Sequence, residues 1–138
     1  MISSDVINAK IDLVDQNIRL IEELKEQGYE SFSKNFRDVQ AAKHCLQESI
    51  EACLDIGNHI IAEKGFRRGE DYKDIFSVIE EEGIIDAGLS ARLQEMAQFR
   101  NLLVHQYGRI DTRRLFIIMS KDLTDVEEFI KSILSYIS

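Results

Sequence analysis

A short segment in the last third of the chain contains residue types that could cleave a phosphodiester bond. It reads Arg100-Asn101-Leu102-Leu103-Val104-His105-Gln106-Tyr107-Gly108. On a helix, residues four apart share a face, so Asn101 and His105 would be neighbours. A neutral histidine can take the proton of a ribose 2′-hydroxyl near pH 7, and an arginine can stabilise charge developing on the phosphorane. The segment is therefore a candidate site for RNA cleavage; the alternative is a histidine with only a structural role.

Arginines are concentrated around this segment. The chain of 138 residues has 17 basic and 25 acidic residues and a net charge of −8, which argues against a protein covered in nucleic-acid-binding charge. Residues 92–114 nevertheless hold five arginines against two acidic residues, a net of +3, which leaves −11 for the remainder. These are Arg92, Arg100, Arg109, Arg113 and Arg114. Because guanidinium groups match phosphate geometry, we expect a local basic site; the alternative is a solvated helix face with ordinary ion pairs.

The elements that must position these residues are helices. Apolar residues recur at spacings of three and four almost throughout, and no alternating strand pattern competes with them. Proline, which disrupts helix interiors, is absent. Helices are predicted from Ser4 or Asp5 to Gly28, and over 34–63, 72–82, 90–105 and 112–137. Short connections between them predict an all-α, up-and-down bundle of about five helices, formed by one domain over residues 1–138.

Several residues of the second predicted helix call for an explanation in terms of packing. Gly57 would cost about 1 kcal/mol relative to alanine in a helix, so we expect a close helix crossing there. Asp55 and His59 lie four apart, and we favour a structural pair over a role in orienting a catalytic group. Apolar residues outside the main stripes would be buried either by a homodimer or within the monomer, and both interpretations stay open. They are Leu13, Leu20, Ile61 and Phe66.

The composition argues against a disulfide framework, a metal centre and a membrane protein. Cys45 and Cys53 are the only cysteines, and their spacing is not that of a metal site. His44 and Cys45 are adjacent and diverge by about 100° on a helix, so no metal or cofactor is predicted. The charged N-terminal segment is not a signal peptide, and no apolar run approaches the ~20 residues of a membrane span. We expect a cytoplasmic protein.

The motif and its surroundings resemble a known family. Arg100-x4-His105-x-Tyr107 is similar to the R-x4-H-x-Y motif of HepT-like toxins, a branch of the HEPN superfamily. The flanking sequences FRNLLVHQYGRID at 99–111, DIGNHIIAEKG at 55–65 and DYKDIFSVIEEEGII at 71–85 also resemble it, and the resemblance covers about residues 5–137. One departure is the loop Arg67-Arg68-Gly69, where relatives often carry proline. We expect this to change loop rigidity, not chemistry.

The resemblance implies a fold, an activity and a set of site residues. Members are all-α homodimers that place two copies of the motif in a cleft between subunits and act as metal-independent endoribonucleases. By analogy, Arg100 and His105 would be the catalytic pair, with Arg100 at the scissile phosphate and His105 in proton transfer. Asn101 would orient His105 or contact the RNA, and Tyr107 and Arg109 would bind the substrate.

The resemblance also implies a protein partner. The family is typically encoded beside a minimal nucleotidyltransferase (MNT) antitoxin, and Tyr107 would accept AMP from it. The added phosphate and bulk would repel RNA from a basic cleft. Two alternatives remain at the level of sequence: a non-catalytic helical binding module that docks a nucleotidyltransferase, and a purely structural helical bundle in which the Arg/His pair is incidental.

Overall fold

A computed structural model describes residues 2–105 and 110–138, and all regular elements in these two ranges are helices. The six helices are α1 (Ser4–Glu26), α2 (Tyr29–Lys34), α3 (Phe36–Lys64), α4 (Tyr72–Glu81), α5 (Ala87–His105) and α6 (Thr112–Ile137). The predicted all-α class is confirmed. None of the helices in the described ranges is both long and apolar enough to span a membrane. Tyr107 and Arg109 lie outside the described residues.

Local sequence explains where the helices begin and end. The Asn35 side chain accepts a hydrogen bond from the backbone N–H of Asp38 and caps α3, and Asp71 caps α4 in the same way through the N–H of Asp74. Each cap satisfies one of the backbone donors left unpaired at a helix start. Gly65 ends α3 with φ +68°, a left-handed conformation that glycine adopts without steric cost. These signals place the helix ends near their predicted positions.

Helix α2 is a difference from the sequence prediction of about five helices. Its six residues, Tyr29–Lys34, form a separate turn of helix between Gly28 and the capping residue Asn35. Six residues are too few to establish a helical period, so the sequence predicts only a connection between Gly28 and the helix that begins at residue 34. Phe32 of α2 is fully buried, so the short helix contributes to the core.

Helix α3 is the centre of the bundle and packs against every other helix. Its buried residues include Ala42, Leu46, Ile50, Cys53 and Ile60, as the predicted stripe requires. Two of the surplus apolar residues are explained within the monomer, because Ile61 is buried and Phe66 packs against the core. Leu20, in contrast, is exposed.

The crossing of α3 and α4 confirms the interpretation of Gly57. A Cβ atom at this position would lie 2.9 Å from Cγ2 of Ile75, which is closer than real Cβ contacts. Asp55 and His59 both hold the start of α1. Lys10 Nζ lies 2.9 Å from Asp55 Oδ2, and the backbone N–H of Ser3 donates to His59 Nε2 at 3.0 Å. These contacts favour the structural interpretation of this pair.

Candidate active site

The motif occupies the C-terminal end of α5. Leu103 is fully buried and fixes the last turn against the core, while Asn101 and His105 are both exposed. Their spacing of four residues puts them on one face of the helix, as predicted. Val104 belongs to the apolar run 102–104, whose period predicts a core position for it, but it is 38% exposed and that prediction is wrong. Phe99, five residues earlier, is buried.

Arg100 points away from the exposed face and is held between two other helices. Its side chain is only 15% exposed, and its Nη2 lies 3.8 Å from Oε2 of Glu51 on α3. The guanidinium carbon lies 4.8 Å from the centroid of the Tyr72 ring at the start of α4, within the range of a cation–π contact. The buried Nε has no hydrogen-bond partner among the described residues. An unpaired buried donor is costly, which makes it available to an acceptor such as a phosphate oxygen.

Within one chain, Arg100 and His105 lie on different sides of α5. Five residues separate Arg100 from His105, which corresponds to about 140° around a helix and about 7.5 Å along it. No hydrogen bond or ion pair joins them in residues 2–105 and 110–138. The structure thus brings Asn101 and His105 to one face and leaves Arg100 on another.

The basic segment does not form a single surface, which corrects the view taken from charge alone. Arg92 lies eight residues before Arg100 and is bound to acidic residues of α6. Its Nε lies 2.9 Å from Asp125 Oδ1, and its Nη2 lies 2.6 Å from Glu128 Oε2. These contacts raise the pKa of Arg92, chiefly through the hydrogen bond to Asp125. Arg92 is therefore part of the α5–α6 packing rather than of an RNA site.

Arg113 and Arg114 provide the positive charge near the start of α6. The guanidinium carbon of Arg113 lies 4.3 Å from the Tyr29 ring centroid, and that of Arg114 lies 5.7 Å from the Phe99 ring centroid. Both residues are exposed, and neither forms an ion pair within the described part of the chain. Their charges are thus directed to solvent beside the end of the motif helix.

The loop over residues 65–71 is tied to α4 by one of its two arginines. Arg67 forms a two-pronged pair with Asp74, at 2.7 and 2.9 Å, and a second pair with Glu81 at 2.8 Å. These contacts lower the pKa of Asp74 to about 2, mainly through the hydrogen bond from Arg67. The neighbouring Arg68 has no ion pair in the described ranges and lines a pocket beside Tyr72.

Sequence reasoning missed the residues that hold Arg100. Glu51 and Tyr72 come from other helices, 49 and 28 positions away along the chain, and spacing within one helix cannot reveal such contacts. Tyr72 follows a polar loop and stands at a helix start, where a large aromatic side chain is seldom needed for the core. This position is only a weak indication of a role outside the core.

The other residues considered as ligands have ordinary roles. His44 is exposed and lies 3.6 Å from Glu48 on its own helix. Burial raises the pKa of the Cys45 thiol to about 11, and that of Cys53 rises further for the same reason, so neither thiol is a ready nucleophile. No group of three metal-ligating side chains occurs among the residues that the structure describes.

The fold is an all-α bundle with an arginine and a histidine near the end of one helix, and comparison with known proteins identifies its family. Residues 14–133 match the family described as "Ribonuclease HepT-like". The match covers most of the chain, and the chain therefore belongs to the HepT-like ribonuclease family.

Individual relatives cover nearly the full chain. The mRNA nuclease HepT of Shewanella oneidensis is 28% identical over 127 residues, which is 92% of this chain and 95% of the relative. The tRNA nuclease HepT of Aphanizomenon flos-aquae is 22% identical over 96% of this chain and 90% of its own length. A solved structure of the tri-AMPylated Shewanella oneidensis HEPN toxin in complex with MNT antitoxin has TM-score 0.89 and 28% identity, covering 96% of this chain and 99% of that one.

Proposed function

We propose that this chain is the toxin of a HEPN/MNT toxin–antitoxin pair and cleaves RNA without a metal ion, as one domain acting in the cytoplasm. The observation that carries the proposal is the end of α5, where the largely buried guanidinium of Arg100 and the exposed imidazole of His105 lie within two turns of helix. The chain that carries them is a member of the HepT-like ribonuclease family. The free thiols of Cys45 and Cys53 fit a reducing compartment.

The roles of the two groups follow from their chemistry. His105 takes the proton of the ribose 2′-hydroxyl, and the 2′-oxygen attacks the adjacent phosphorus. The bond from phosphorus to the 5′-oxygen then breaks, the leaving oxygen takes up a proton, and a 2′,3′-cyclic phosphate remains. Arg100 stabilises the charge on the phosphorane through its Nε and Nη groups. Asn101, Tyr107 and Arg109 contribute to substrate binding.

A homodimer would complete the site. Arg100 and His105 face different sides of α5, so a single copy leaves each without the other. A cleft between two copies of the motif would allow the His105 of one protomer to approach the Arg100 of its partner. The exposed cations Arg113 and Arg114, at the start of α6, would line the approach for the RNA backbone.

Replacement of His105 by alanine tests the assignment. We expect His105→Ala to lower the cleavage rate by at least about a hundredfold, the usual contribution of a general base, with unchanged helix content by circular dichroism. His44→Ala is the matched control, because it removes another exposed histidine from a helix. Wild-type cleavage should persist in EDTA. Full activity of His105→Ala, or a strict metal requirement, would contradict the proposed mechanism.

A partner protein could regulate the proposed cleavage by modifying the same cleft. A nucleotidyltransferase that adds AMP to Tyr107 would place negative charge where RNA must bind. The solved complex of a tri-AMPylated HEPN toxin with MNT antitoxin supports this proposal by analogy. The alternative is a non-catalytic module that only docks the nucleotidyltransferase. Growth inhibition by the chain expressed alone, relieved by co-expression of the partner, favours the nuclease over the docking module.

A further inference from the structure

A pocket lies next to the motif arginine and shares one residue, Tyr72, with the surroundings of Arg100. It is lined by Asn58 of α3, by Arg68, Gly69 and Asp71 of the loop, and by Tyr72 and Ile75 of α4. Tyr72 also contacts the guanidinium of Arg100 at 4.8 Å. One aromatic residue therefore belongs both to the pocket and to the surroundings of the group that would bind the scissile phosphate.

The lining of this pocket has the features of a nucleotide site. Tyr72 is 46% exposed although it is a large aromatic residue, and exposed aromatic rings are the usual platforms for bases of single-stranded RNA. Arg68 is exposed and forms no ion pair within residues 2–105 and 110–138, so it is free to contact a phosphate. Asn58 presents an exposed amide that can donate to or accept from a base edge.

Contacts of the loop with α4 fix the position of the segment that carries Arg68. Arg67 fixes the loop to α4 through Asp74 and Glu81, which leaves the adjacent Arg68 directed elsewhere. Gly69 approaches Ile75 so closely that a Cβ atom would lie 3.2 Å from both its side chain and its backbone nitrogen. Asp71 uses one carboxylate oxygen to cap α4. Its charge disfavours a phosphate at that side of the pocket and favours one nearer Arg68.

We propose that this pocket binds the base and phosphate of a single nucleotide that flanks the cleaved bond in the RNA substrate. Tyr72 stacks on the base, Asn58 contacts its edge, and Arg68 contacts its phosphate. Tyr72 is then both a substrate-binding residue and a positioning residue for Arg100. This inference rests on the proposed ribonuclease function and adds the place where one unpaired nucleotide is held.

The test combines protein variants with single abasic positions in a short RNA. Binding is measured in the His105→Ala background, which prevents cleavage, with wild-type cleavage of the intact RNA recorded first. Loss of the stacked base should weaken binding about tenfold at one position near the cut, the usual scale for base–aromatic stacking. In Tyr72→Ala that abasic position should cause no further loss, whereas Tyr72→Phe should behave as wild type.

The charge contact has its own control. Arg68→Ala should weaken binding and reduce its salt dependence by about one phosphate contact. Lys131→Ala removes an exposed cation of α6 that does not line the pocket, and it should leave both unchanged. If the loss of binding caused by Tyr72→Ala simply adds to the loss caused by each abasic position, the base does not lie on Tyr72 and the inference is overturned. If wild-type protein cleaves no RNA at all, the proposed function fails instead.

Discussion

At the scale of single residues, the core contains a carboxyl group that should make stability depend on pH. Asp122 of α6 is 5% exposed, and its Oδ2 has no hydrogen-bond partner within the described ranges. Burial raises the pKa of Asp122 to about 7, and the nearby Asp125 adds to the rise. Asp122 lines a small cavity together with Ser49 and apolar side chains, so ionisation occurs in a poorly solvated place.

The direction of the pH effect follows from proton binding. An aspartate in the unfolded chain ionises near pH 4, whereas folded Asp122 keeps its proton until about pH 7. The folded state thus binds more protons in this interval, and the contribution to stability is lost as pH rises through it. Asp122→Asn should remove this loss. The difference in free energy of unfolding, variant minus wild type, should therefore increase by a few kcal/mol between pH 4 and pH 8.

Urea unfolding at a fixed protein concentration measures this difference. Glu127→Gln is a suitable control because Glu127 is an exposed acid on the same helix. Equal slopes of stability against pH in wild type and Asp122→Asn would show that Asp122 ionises normally in the folded protein.

At the scale of elements, the crossing of α3 and α4 can be tested through its glycine. Gly57→Ala adds a methyl group 2.9 Å from Cγ2 of Ile75. The gain in helix propensity is about 1 kcal/mol, but overpacking typically costs about 1–3 kcal/mol, so we expect net destabilisation of up to about 2 kcal/mol. Gly88→Ala is the control, since a Cβ atom there would meet only ordinary contacts at 3.4 Å or more. Thermal unfolding should place Gly57→Ala below Gly88→Ala.

The helices show what sequence periodicity can and cannot predict. The bounds of α6 match the predicted 112–137, because Asp111 provides a cap and the apolar residues keep the helical period; the buried ones are Leu115, Met119, Leu123, Val126, Phe129 and Ile133. The short α2 was missed because one turn of helix has no measurable period. The exposure of Val104 and the burial of Phe99 depend on which neighbours cover the last turns of α5, and spacing along one helix does not contain that information.

Contacts between elements limited the prediction of the site in the same way. The motif segment was recognisable, because Arg100, Asn101 and His105 lie within two turns of one helix. The partners of the arginines were not recognisable, because Glu51, Tyr72 and the acids around Arg92 belong to other helices. Arginines that are clustered in the sequence therefore have different partners in the structure: Arg92 is bound to α6, and Arg100 is held by α3 and α4.

At the scale of the whole molecule, the arrangement of α5 predicts that active sites are shared between protomers. Arg100 is turned toward α3 and α4, and His105 is exposed about 140° further around the helix. A cleft between two copies would bring the Arg100 of one protomer toward the His105 of its partner. Arg100→Ala and His105→Ala homodimers should each be inactive, because every shared site lacks one of the two groups.

The mixed dimer distinguishes shared sites from sites built within one protomer. When Arg100→Ala and His105→Ala are co-expressed with different tags and purified through both, one shared site retains both groups and the other retains neither. About half of wild-type activity per dimer is therefore expected from twofold symmetry. If each site were built within one protomer, both sites of the mixed dimer would lack one group. A mixed dimer that is as inactive as the two parent homodimers would therefore show that Arg100 and His105 act from the same chain. Native mass spectrometry of the purified sample verifies that the mixed dimer has formed, so that a lack of activity can be attributed to the site.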